Sequence, residues 1–318
     1  AMAVAGLAAC GSDPAVSPPV GAGGLGGAGG EGGSGGDGGA ASGGGGAGGE
    51  APAPSCWDQG PEGWVLGEAI DTTALTGTAV VDLTLSADGL ELWYGARADE
   101  NALIRPHRAI RASRDEPFTG GEQIAVWAGL TNASSVPPRG DEMLVRSANG
   151  QGQFNAFVSL REGDDWSYPT PLGAAVNVPD TLTTHLTMTE LGTRLIFARA
   201  PVGNEVQYSL WEAARSSGEP GTPFGISNRM TFPNVPDDER VLCGSLSPDG
   251  TILHFSRVLL EDANNDGLVN VGDLQPGDGT IWMATRATIN HPWSPPAEIP
   301  ALTSEPSSLA CVTVGIPE

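Results

Sequence analysis

Residues 56–318 predict an all-β fold, and three observations carry that prediction. The 318-residue chain holds 47 Gly and 26 Pro against only 17% charged residues, a composition that excludes a helical bundle. From residue 56 onward, short apolar-alternating segments run into a glycine turn and out again four times, at Gly89, Gly140, Gly192 and Gly250. Each turn is followed by an arginine and then an aromatic residue at similar distances. A repeating unit of about 50 residues with four short strands is what one blade of a β-propeller requires. The expected architecture is therefore a propeller of about five blades, four complete and one composite; a β-sandwich with fortuitous repeats is the alternative.

Taken in chain order, the N-terminus comes first. Residues 1–10 are small and apolar and end in Leu7, Ala8, Ala9 and Cys10. This resembles the second half of a bacterial lipoprotein signal peptide with its lipobox. The resemblance implies that Cys10 becomes the lipidated first residue of the mature protein, and that residues 1–10 are a partial signal. Gly11 rather than Asp follows the cysteine, which by the same resemblance implies the outer membrane of a Gram-negative envelope. Residues 11–55 are Gly-rich and lack aromatics, so they cannot bury enough surface to offset their ordering entropy. They are expected to be a disordered tether with a reach of about 35 Å.

The hairpins begin the folded region, 56–318. Residues 83–94, 138–145, 186–197 and 246–255 each read as strand, turn, strand, with glycine supplying the positive φ. Arg111, Arg161, Arg215 and Arg286 close the third strand of each unit, and Phe118, Trp166, Phe224 and Trp293 follow. The glycine-to-arginine spacing is 22, 21, 23 and 36, the last lengthened by an insertion at residues 262–273. Trp64 is a fifth aromatic of this kind, and residues 310–315 are a faint fifth copy. Residues of about 62–76 and 305–314 would then supply the outer and inner strands of the composite blade, protecting the sheet edges.

Ser247, Pro248, Asp249 and Gly250, with Ser86, Ala87, Asp88 and Gly89, resemble the Ser-Pro-Asp-Gly signature of TolB-like and WD-like propeller repeats. Ala284, Thr285 and Arg286, with Ile110 and Arg111, are similar to the third-strand ending found in exported proteins of high-GC bacteria. The resemblance covers roughly residues 60–318. A periplasmic scaffold associating with peptidoglycan-linked lipoproteins is one role it implies.

The insertion carries the sharpest chemistry. Residues 262–273 place oxygen side chains at positions 1, 3, 5, 9 and 12 and Gly267 at position 6, the pattern of an EF-hand-type calcium loop, closest to a dockerin half-site. Asp262, Asn264, Asp266 and Asp273 would ligate through side chains, Leu268 through its carbonyl and Asn270 directly or through water. Calcium, Ca2+, is the one expected cofactor, and its role is structural.

Four cysteines include Cys10, assigned to lipid, which leaves Cys56, Cys243 and Cys311. One disulfide and one spare thiol follow in an oxidising compartment. Cys56 with Cys311 is the leading pairing and Cys243 with Cys311 the rival.

All fifteen cationic residues are arginine, and 38 carboxylates leave a formal charge of -23, which disfavours nucleic acid and anionic lipid. Membrane contact is expected only through the lipid at Cys10, and the protein as a monomer. His107, His185, His254 and His291 show no metal-ligand spacing, and no phosphate loop, metalloprotease or nucleophile-elbow motif occurs. Asp82, Asp141, Glu142 and Glu190 are the carboxylates that a propeller glycosidase would recruit. Trp93, Trp127, Trp211 and Trp282 read as blade packing rather than a sugar platform. The expected function is that of a lipid-anchored, non-catalytic envelope propeller binding a protein or glycan; the alternative is a secreted glycan-active enzyme.

Overall fold

A computed structural model describes residues 8–10 and 60–66 and, with short gaps, 74–258 and 279–303. The chain divides into a unit of Ala1–Gly11 with Ser55–Glu318 and a unit of Ser12–Pro54. The tether of residues 11–55, the loop of residues 262–273, Trp127, Cys56, Cys311 and residues 310–315 lie outside the described residues.

Four antiparallel sheets follow one another along the chain. Two short strands precede them: β1 (Ala8–Cys10) pairs antiparallel with β2 (Trp64–Leu66), with Cys10 opposite Trp64. Blade 1 contains β3 (Ala79–Leu85), β4 (Glu91–Arg97), β5 (Arg105–Ile110) and β6 (Thr119–Gln123). Blade 2 contains β7 (Thr131–Ser135), β8 (Glu142–Ala148), β9 (Phe154–Glu162) and two short outer pieces, β10 (Asp165–Trp166) and β11 (Thr170–Pro171). Blade 3 contains β12 (Thr181–Met188), β13 (Arg194–Pro201), β14 (Ser209–Ala214) and β15 (Ser227–Arg229). Blade 4 contains β16 (Arg240–Leu246), β17 (Ile252–Val258), β18 (Gly279–Thr285) and β19 (Ala297–Glu298), followed by the single-turn helix α1 (Pro300–Thr303).

Within each sheet the strands meander in sequence order, and the first strand of each blade packs on the middle strands of the blade before it. β7 lies on β4 and β5, β12 on β8 and β9, and β16 on β13 and β14. That stagger is the radial arrangement of a β-propeller. After blade 4, α1 packs on both β18 and β2. A fifth, composite blade remains an expectation, because the strand that would complete it falls outside the described residues.

Burial follows from this geometry. The second strands are buried on both faces: β4 buries Leu92, Trp93, Tyr94, Gly95 and Ala96 in succession, and β13, between blades 2 and 4, buries Leu195 to Ala200 without a break. The period-two pattern predicted one buried face; two-sided packing removes the alternation. The last strands are short and exposed, which limits the edge that each blade offers to another chain. Apolar clusters bridge consecutive blades: Leu144 and Ala156 meet Leu195, Phe197 and Phe224, while Ile196, Ala198 and Leu210 meet Leu242, Leu246 and Phe255. Burial of this kind contributes roughly 1.5–3 kcal/mol per large side chain.

Each first strand also breaks register near its middle, between Val81 and Thr84, Thr131 and Ser134, Thr184 and Thr187, and Leu242 and Ser245. The extra residues include His185 and Cys243, both in the left-handed region at φ 52° and 56°. Bulges of this kind bend a strand and raise its twist.

Candidate functional site

The repeated arginine is the centre of a lock. Gly89, Gly192 and Gly250 have φ of 71°, 66° and 76°, the positive values their turns require. In each case the arginine after strand three donates Nε–H to that glycine's carbonyl: Arg111 at 2.8 Å, Arg215 at 2.5 Å and Arg286 at 2.7 Å. The guanidinium then stacks over the following aromatic, 4.6 Å from Phe118, 4.8 Å from Phe224 and 4.2 Å from Trp293. Arg161 lies 4.7 Å over Trp166 in the same way, with Asp141 beside it at 3.8 Å. The repeat is thus a three-part clasp that ties the turn between strands one and two to the loop after strand three. Arginine is required because one planar group must stack and also donate sideways.

Two of these arginines also reach the preceding blade. Arg215 of blade 3 forms a bidentate pair with Glu142 of blade 2, at 2.8 and 2.5 Å, and both side chains are fully enclosed. Arg286 of blade 4 pairs bidentately with Glu212 of blade 3 at 3.0 and 3.1 Å. Glu142 therefore serves blade cohesion. Asp141 is largely exposed next to Arg161, and Glu190 is exposed on its turn, where its N–H bonds to the Pro248 carbonyl of the next blade at 2.8 Å. Asp82 sits at the bulge of β3. Glu142 is thus committed to Arg215, and the Asp82 side chain lies outside the described residues.

The tryptophans of the strands pack as expected. Trp93 is buried against Met143 and Val145 of blade 2, and Arg108, Arg199 and Arg257 lie over Trp93, Trp211 and Trp282. Burial lowers the Arg199 guanidinium to about 10, which leaves it charged at neutral pH. The histidines are scattered. His107 is stacked on Tyr94 with its proton affinity reduced by burial, partly offset by the Arg105 carbonyl. His254 is fully buried in β17, and burial pushes it down to about 3. His185 is at the β12 bulge, and His291 is in the loop after β18, bonded through Nδ1 to Thr288 Oγ1 at 2.6 Å. Among the described residues no group of three potential metal ligands occurs. The proposed calcium ligands Asp262, Asn264, Asp266, Leu268, Asn270 and Asp273 all lie outside the described residues.

Cys243 is buried and disulfide-bonded, so it is not a spare thiol. The expected Cys56–Cys311 pairing lies outside the described residues.

Between blades 3 and 4, on the face that carries the arginine clasps, a cleft of about 420 Å³ opens. Arg194, Glu212, Asn228 and Arg229 line it from blade 3, and Arg286, Asn290, His291 and Trp293 from blade 4. Glu212, the one carboxylate among its described lining residues, is held by Arg286, with Arg194 Nε 3.5 Å away. Sequence reasoning missed this cleft, since its walls come from two repeats. The inter-blade pairs were equally hidden. Glu142 precedes Arg215 by 73 residues and Glu212 precedes Arg286 by 74, but one opens a second strand and the other lies in a third.

Four clasped, radially staggered sheets with a mixed polar cleft between two of them define a β-propeller. No protein-family model matches the chain, and no curated protein matches it. Solved structures are similar to it at low identity. A TolB protein from Agrobacterium tumefaciens is 14% identical over 65% of this chain and 58% of its own, with a TM-score of 0.39. A thermostable family-43 glycoside hydrolase is 14% identical over 72% and 81%, with a TM-score of 0.42. A protein of unknown function from Dyadobacter fermentans is 13% identical over 73% and 79%, with a TM-score of 0.40. The chain spans less than two thirds of the length of that TolB protein. Likeness at this level says nothing about activity.

Proposed function

We propose that this protein is a lipid-anchored, non-catalytic propeller of the bacterial envelope that acts as a binding module, stiffened by a structural calcium site. The observation that carries the reading is the use made of carboxylates. Glu142 is sealed in an ion pair with Arg215, and Glu212, the one carboxylate among the described lining residues of the blade 3 and 4 cleft, is clamped by Arg286. Hydrolysis of a glycosidic bond needs two carboxyl groups flanking the bond, one of them able to give up a proton. Side chains committed to cations serve binding and cohesion instead. The lipobox at Cys10 and the Gly-rich residues 11–55 support attachment to a membrane with the propeller held clear of it.

The test is capture from envelope extract with immobilised full-length protein. Recovery of a specific protein or glycan is the expected result; recovery of neither sinks the reading. Calcium has its own measurement: Asp266→Ala is expected to abolish the difference between melting curves recorded with calcium and with chelator. Identical wild-type curves in the two conditions refute a stabilising site.

A further inference from the structure

We propose that the cleft between blades 3 and 4 binds a sugar carboxylate, that is, a uronate residue of an acidic glycan; this rests on the binding-module reading and names its ligand class. The first argument is charge. In a chain of formal charge -23, Arg194, Arg229 and Arg286 line this cleft, with Glu212 the one carboxylate among its described lining residues. Such a local inversion draws in an anion. Arg286 satisfies Glu212 bidentately. Arg194 donates from Nη2 to Asn290 Oδ1 at 2.7 Å, and its Nη1 amino group has no partner among the described residues. A guanidinium with an uncommitted donor edge takes a planar carboxylate.

The second argument is the company that this cation keeps. Trp293 forms part of the wall, held beneath Arg286 at 4.2 Å. Asn228 and Thr231 present groups that both donate and accept, which suits sugar hydroxyls. Ile226, 84% exposed at the rim, offers an apolar surface for the C–H face of a pyranose ring. The volume of about 420 Å³ falls within the range of small-molecule sites. Glu212 on the wall disfavours a phosphate dianion more than a monoanionic carboxylate.

Titration of the full chain with sodium glucuronate, glucose, acetate and trialanine, followed by calorimetry or amide shifts, tests this. Glucuronate is expected to bind saturably, about tenfold more tightly than each of the other three. Its affinity is expected to fall as salt rises from about 50 to about 500 mM. Arg194→Gln is expected to weaken glucuronate about tenfold with Tm unchanged. Should that variant melt early, Asn228→Ala, at an exposed position, is expected to weaken glucuronate about threefold. Equal binding of acetate or glucose, tighter binding of trialanine, no saturable glucuronate binding, or an Asn228→Ala variant with wild-type affinity overturns the proposal. An envelope partner captured equally by wild type and Arg194→Gln also overturns this pocket while leaving the binding-module reading standing.

Discussion

At the residue scale, the buried charges and imidazoles decide how the fold responds to its surroundings. His254 is enclosed in β17 and stays neutral down to about pH 3, because burial penalises its charged form. The ordinary value of 6.5 returns on unfolding. Between those values the unfolded chain holds a proton that the folded chain lacks, so stability drops as pH falls through that window. His254→Gln should flatten the acid limb, the wild type losing about 1.4 kcal/mol per pH unit more than the variant between about pH 6 and 4. Urea unfolding at a series of pH values measures it, and parallel limbs would contradict it. Asp249 stands in contrast: burial works against its ionisation, but bonds from the Ser247 hydroxyl and from Thr251 outweigh that and hold the carboxyl below its ordinary range.

At the scale of elements, the clasp of glycine turn, arginine and aromatic is what the repeat in the sequence encodes. Phe224 is buried under Arg215, and Phe224→Ala is expected to cost about 3–5 kcal/mol, read as a drop in the denaturation midpoint with an unchanged slope. Ile226→Ala, two residues away and 84% exposed, is the control and should change stability by less than about 0.5 kcal/mol. These clasps were legible in the sequence because each is local to one blade and recurs. The register breaks at His185 and Cys243 were not, since neither residue type signals a left-handed backbone. Nor was the two-sided burial of β4 and β13, which depends on neighbours about 50 residues away.

For the whole molecule, the propeller was readable from periodicity, while the cleft between blades 3 and 4 was not, because no single repeat contains it. α1 packs on β18 and β2, and Cys243 in β16 carries a disulfide that cross-links blade 4. Protein reduced with dithiothreitol is therefore expected to melt below the oxidised form, by an amount corresponding to about 2–4 kcal/mol. An unchanged midpoint would mean that the bridge holds nothing the packing does not already hold.

The claim beneath all of this is that blades are joined side to side by arginines reaching back to carboxylates, which commits those carboxylates to structure. A double-mutant cycle across blades 2 and 3 tests it most directly, through unfolding free energies of Glu142→Ala, Arg215→Ala and the pair. Each single change should cost about 3–5 kcal/mol by leaving a buried charge alone, and the pair should cost less than their sum by more than about 1 kcal/mol. Costs that simply add, within about 0.5 kcal/mol, would mean the two groups do not meet and the blades are not arranged as described.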